Sequence, residues 1–247
     1  MVLQFNGQRE APLYKRFPLE GTRRKIDLLS QVGAESYTFI SARQVVDRRM
    51  NVPDDARVVW QEQFFFTGDA CTGNTEGDSV YTLDEKALFT LTPAAAGSLI
   101  DGGLPRSAEE FAELCKHGCY LTAQQTVDLF GKGWTYSGGI WKPDSPVVAK
   151  ATDFILREMS ETNRIQYLNG VRDDSTGNDT VMRFYPTISN GKSAIMKFVA
   201  VDSTISGSAS NFFADCLDHS GFLVGVAPKA PVARDERSGL ERFLHDA

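Results

Sequence analysis

Apolar positions recur every three to four residues through the middle of the chain and every second residue on either side of it. Ser107-x-x-Glu110 opens the first helical stretch as a capping box, the serine hydroxyl and the glutamate carboxylate each taking up an orphan amide. Phe111, Leu114 and Cys115 follow on one face, and Gly118 suits the left-handed position that ends a helix. Thr122-x-x-Gln125 repeats the box, with Val127 and Phe130 as inward positions and Gly131 as the stop. Ser145-Pro146 begins a third helix, proline being welcome in a first turn. Val148, Ala151, Ile155 and Met159 make its apolar stripe, and Asp153 can pair with Arg157 on the wet side.

Outside this helical part the pattern favours strands. Residues 37–40 read as a strand, 42–50 as a short helix and 57–67 as a long strand, followed by a polar loop over 68–79. Residues 181–201 read as a hairpin about Asn190-Gly191, a pair suited to a type I′ turn because both positions need positive φ. Such a turn sets Met182 opposite Val199 and Arg183 opposite Phe198, and large apolar groups on both faces predict cover on both sides. Phe222 to Val226 forms a last short strand. Strands and helices are segregated rather than alternating, so the predicted class is α+β: an antiparallel sheet including the 181–201 hairpin, with the helical segment 107–160 packed on one side. The predicted organisation is an extended basic arm (1–25) broken by Pro12 and Pro18, a single domain (26–232) and a charged tail (233–247).

Composition adds boundaries. The 247 residues are 42% hydrophobic and 23% charged, which is the balance of a globular protein and ample for a core. No apolar run is long enough to span a membrane, and residues 1–20 lack the apolar stretch of a signal peptide. The expectation is therefore a cytoplasmic protein, or one inside an intracellularly assembled particle, with its four cysteines as free thiols. Net charge is −6 but unevenly spread: residues 1–49 hold 9 Lys/Arg against 5 Asp/Glu, a net of +4, which leaves −10 for the rest. Lys15, Arg16, Arg23, Arg24 and Lys25 make the arm basic. Such an arm suits the acidic face of a neighbouring copy, or nucleic acid. With the body acidic and few aromatic residues among these cations, the pattern is not that of a dedicated nucleic-acid reader.

Candidate chemistry is concentrated in two segments, Cys115-Lys116-His117-Gly118-Cys119 and Cys216-Leu217-Asp218-His219. Their donors could serve zinc, but the spacing matches no familiar knuckle, and thiols on an apolar stripe read as core. His117 and His219 each sit in the last turn before a glycine stop, where a partly protonated ring favours the negative helix end. Cys216 with His219, oriented by Asp218 or Asp215, is the best catalytic pair in the chain and would suit a small hydrolase or acyltransferase. Its place near a predicted helix C-terminus, among aspartates, points away from an activated thiol. The acidic loops at 68–79 and 172–180 could offer oxygens to calcium but match no EF-hand, and their residue types are those of exposed turns. Gly191-Lys192-Ser193 lacks the upstream glycine of a phosphate loop.

Gly131 to Trp141 carries Trp134, Tyr136 and Trp141 on a glycine-rich backbone, and rings of this kind dominate interface hot spots. The reading that follows is a non-catalytic structural or assembly subunit of a larger particle, a virion component being one example. It would need no cofactor or metal, and would contact copies of itself or other subunits through arm, tail and aromatic loop.

Overall fold

The computed structural model describes residues 14–17, 38–51, 54–89, 91–191, 193–205, 209–215, 217 and 223–226. The centre of the molecule is a long sheet in the order β1 (Tyr14–Phe17), β13 (Leu223–Val226), β3 (Phe65–Gly73), β11 (Ala194–Val201), β12 (Phe212–Asp215) and β10 (Phe184–Tyr185). β2 (Thr38–Phe39) pairs with β13, β4 (Ser79–Thr82) with β3, β6 (Cys119–Leu121) with β4, and β5 (Leu104–Arg106) with β11. Most of these pairings are antiparallel; β3 with β13 and β10 with β12 are parallel. A second sheet has the order β8 (Ile140–Pro143), β7 (Trp134–Ser137), β9 (Thr180–Val181). Seven α-helices lie among the described residues: α1 (Ala42–Asn51), α2 (Asp54–Glu62), α3 (Lys86–Phe89), α4 (Ala108–His117), α5 (Ala123–Leu129), α6 (Pro146–Ile155) and α7 (Glu161–Asp174). The class is α+β, with mainly antiparallel sheets.

β3 and β11 are buried along their length because each faces two cores. Phe65, Cys71, Val199 and Val201 point to the larger core with α1, α6 and α7. Phe66, Ala70, Met196, Phe198 and Ala200 point to a second core, closed by Phe39, Leu88 and Leu217. The alternation is that of pleated strands covered on both faces.

The three capping residues behave as the sequence predicts. Ser107 and Thr122 form complete capping boxes with Glu110 and Gln125, and the Ser145 side chain accepts the Val148 amide above Pro146. Val148, Ala151, Ile155 and Met159 are buried together.

Several expectations are corrected. Residues 57–62 lie in helix α2 and not in a strand; Trp60, apolar and fully buried, anchors that helix against Phe65 with rings 4.8 Å apart. The strand begins at Phe65 and runs through Gly73, so the first half of the expected loop 68–79 is the buried centre of the sheet. Polar residues fit there because a register shift between Phe198 and Ala200 bulges β3 at residues 67–69, re-aiming its side chains.

The 181–201 hairpin does not form. Met182 takes φ +52 and breaks the strand, sending Thr180 and Val181 to β7 and Phe184 and Tyr185 to β12. Val199 therefore pairs with Ala214 and not with Met182. Near the expected turn, the Ser189 hydroxyl donates to the Ser193 carbonyl at 2.7 Å. The two-residue glycine turn is instead Gly138-Gly139, with φ +61 and +84, joining β7 to β8.

On α5 the inward residues are Thr126 and Leu129, whereas Val127 and Phe130 are 64% and 48% exposed. Asp153 pairs with Arg164 of α7 at 2.7 Å rather than with Arg157. Gly118 ends α4 with φ −96, not in the left-handed region; it is needed because a Cβ would strike Val80 and the Tyr81 carbonyl.

Candidate functional site

The aromatic segment folds as the β7–β8 hairpin, with Trp134, Tyr136 and Trp141 on one face. Tyr136 and Trp141 are cross-strand partners with rings 5.2 Å apart. That face lies under α6 and α7. The Trp134 indole N–H donates to the Thr152 hydroxyl at 2.9 Å, and that of Trp141 to Asn169 Oδ1 at 2.8 Å. The Arg164 guanidinium stands 5.7 Å from the Trp134 ring and that of Arg172 4.4 Å from the Tyr136 ring. Arg172 also donates to Asp179 at 2.9 Å, which holds it over the tyrosine. Trp134 and Trp141 are each only 8% exposed, so both indoles belong to the chain's own core. The solvent side of the hairpin presents Ile140, 53% exposed, and Lys142.

Of the expected arm residues, Lys15 and Arg16 lie in β1, in register with Gly225 and Val224. Arg23, Arg24 and Lys25 lie outside the described residues, as do Cys216, Asp218 and His219. The cysteines that are described do not converge with histidine. Cys71 sits in β3 at the core, accepting the Thr187 amide at 3.2 Å, and burial pushes its thiol up to about 11. Cys119 is buried in β6, two strands away with Tyr81 between them, and burial raises its thiol too. Cys115 is half-buried, and its thiol is raised first by burial and then by the charge of Asp78. His117 is exposed beside Glu113, at 3.4 Å. Thiols held protonated in this way are poor nucleophiles. Among the described residues no group of three His, Cys, Asp or Glu side chains is arranged to hold a metal ion.

The structure adds an open groove of about 540 Å³ between the β3–β4 turn, the first turns of α4 and the start of β11. Glu76, Asp78, Tyr120, Arg106 and Ser193 line it, and the buried Phe111 and Ala194 lie at its base, where they pack on Val80. Asp78 organises it. Its Oδ1 accepts the Ala123 amide at 2.7 Å, while its Oδ2 accepts from the Tyr120 hydroxyl at 3.0 Å and from the Asn74 side chain at 3.2 Å. Arg106 is already paired with Glu110 at 3.0 Å. Burial raises the Tyr120 hydroxyl, and its hydrogen bond to Asp78 and the nearby negative charge raise it further. The acidic residues of this turn are visible in the sequence, but not the partners forty residues on that draw Asp78 inward.

Two buried polar residues also escape sequence reasoning. Asp69, on the β3 bulge, accepts the Ala42 amide at 2.7 Å and that of Asp84 at 3.2 Å, and burial pushes its carboxyl up to about 7. Arg49, 5% exposed, donates to the carbonyls of Trp60 and Gln63 and to the hydroxyls of Tyr167 and Ser210. Both are structural: they join α1 to segments distant in sequence.

No family model matches the sequence, and no curated protein matches it. A solved structure described as "Accommodation of massive sequence variation in Nanoarchaeota by the C-type lectin fold" aligns with 86% of this chain and 97% of its own, at a TM-score of 0.56 and 12% identity. The chain thus has a C-type lectin-like fold. At that identity the likeness extends to the fold and not to activity.

Proposed function

We propose that the protein is a non-catalytic contact module, a C-type lectin-like scaffold that assembles with copies of itself or with other subunits of a larger particle such as a virion. The observation that carries this reading is the pair of large apolar side chains left in solvent at the end of α5. Val127 and Phe130 are 64% and 48% exposed, in contrast to the buried stripe of α6. The Phe130 ring meets Tyr185 edge-on at 5.4 Å, so it is held in place. A fixed aromatic ring needs little further ordering on binding, which suits a contact surface. The β7–β8 hairpin also leaves an apolar side chain in solvent, Ile140.

The described thiols, protonated and dispersed, fit a non-catalytic role. The solved relative is described as a fold that accommodates massive sequence variation, and a frame of that kind suits a protein whose surface makes contacts. No described helix is long and apolar enough to cross a membrane.

Sedimentation of the whole chain tests the reading. Assembly predicts a mass well above 27.2 kDa, and predicts that Phe130→Ser lowers the mass without moving the melting temperature by more than about 2 °C. A chain that stays monomeric at high concentration overturns it.

A further inference from the structure

The groove beside α4 is lined by Glu76 and Asp78, and among the described residues its lining cation is Arg106. Glu76 at its rim is exposed and has no side-chain partner among the described residues. That arginine is already paired with Glu110 at 3.0 Å. Cys115 and Tyr120 both feel the negative charge of Asp78. The base is apolar and aromatic, and a volume of about 540 Å³ is that of sites enclosing a ligand. Carboxylates at the rim with rings below are the environment that holds a guanidinium or ammonium group on an apolar stem.

The same chain carries such groups. Arg23-Arg24-Lys25 is its densest basic run, in a segment whose charge of +4 opposes −10 on the remainder. We infer that the groove between the β3–β4 turn and α4 receives the Arg23-Arg24-Lys25 run of a second copy of this chain. The inference rests on the assembly reading above and names the complementary surfaces. Phe111 and Tyr120 take the flat face of a guanidinium, Glu76 meets its charge, and Asp78 holds the wall in place without having to move. A basic run and an acidic groove on each copy define a head-to-tail contact, which joins more than two copies when it does not close on a pair.

Sedimentation equilibrium of the full chain over a range of concentrations provides the test, with Glu76→Lys, with Arg23→Glu/Arg24→Glu and with the combined variant. Each charge reversal alone is expected to weaken association about tenfold, and the combined variant to recover most of it, since both surfaces are then inverted. Salt of about 0.5 M is expected to weaken the wild type and leave little difference among the variants. Melting temperatures close to wild type confirm that each variant folds. Association unaffected by Glu76→Lys, or a combined variant no better than either parent, overturns the inference while leaving assembly itself standing. A wild-type chain that is monomeric throughout overturns both.

Discussion

Asp69 and Ala42 meet end-on: the carboxylate, carried on the bulge of β3, accepts the first amide of α1 at 2.7 Å inside the core. A second amide, that of Asp84, reaches the other oxygen at 3.2 Å, in a turn whose own φ is +50. One side chain thus fixes the start of a helix and the exit of a strand against the sheet.

That position has a pH consequence. Burial raises the Asp69 carboxyl to about 7 in the folded protein, against an ordinary value of 3.8. The folded state holds this proton more tightly than the unfolded chain, so its contribution to stability is full below pH 4 and is lost as pH rises through 7. Chemical denaturation at intervals between pH 4 and 8 is expected to show the decline. Asp69→Asn is expected to flatten it, even though the amide suits the Asp84 N–H less well and lowers stability at acid pH.

Arg49 is expected to be among the costliest single replacements. Arg49→Met leaves two carbonyls and two hydroxyls short of a donor, although Tyr167 and Ser210 retain their mutual bond at 2.6 Å. The expected loss is about 3 kcal/mol in a urea titration. Arg49→Lys is expected to recover little, because an ammonium cannot span four acceptors placed to match a planar fork.

Two glycines separate crowding from chain entropy. At Gly118 a methyl group would lie 2.5 Å from the Tyr81 carbonyl oxygen and against the Val80 side chain. Gly118→Ala is expected to destabilise by about 2 kcal/mol or more. Gly170, within α7, has open space around an added Cβ, and Gly170→Ala is expected to stabilise by about 0.5–1 kcal/mol. Paired thermal melts read both signs.

Thiol labelling tests the chemistry assigned to the cysteines. Iodoacetamide near neutral pH is expected to modify half-buried Cys115 slowly, and Cys71 and Cys119 only after unfolding. Peptide mass spectrometry resolves each site. Preferential labelling of Cys216 in the native protein would instead support a hydrolase or acyltransferase built on Cys216 and His219.

What the sequence discloses is what local forces determine. Ser107, Thr122 and Ser145 could be assigned as caps because each satisfies amides within three residues of itself. The α+β class follows from segregated periodicities. Residues 57–62 mislead because Val58, Val59 and Trp60 have strand-like propensity, which tertiary packing overrides. Asn190-Gly191 offers a good local turn, but Met182 leaves the left-handed break that decides the pairing, and nothing nearby in sequence announces it. Trp134 and Trp141 are legible as important rings; which way they face depends on Thr152 and Asn169, on helices that come later. The groove is invisible in sequence for the same reason, since its walls come from turns and strands more than a hundred residues apart.

The placement of β13 between β1 and β3 reaches beyond the finished molecule. A ribosome delivers residues 223–226 long after the earliest described strands, yet β1 and β2 find their seats only against them. Until that moment Phe66 has an open flank, and Thr38 lacks the carbonyl 188 positions downstream that it grips at 3.3 Å. A nascent chain stalled short of Leu223 can already pair β3 with β4 and β11, but it leaves β1 and β2 without a neighbour, the kind of waiting edge that chaperones shield.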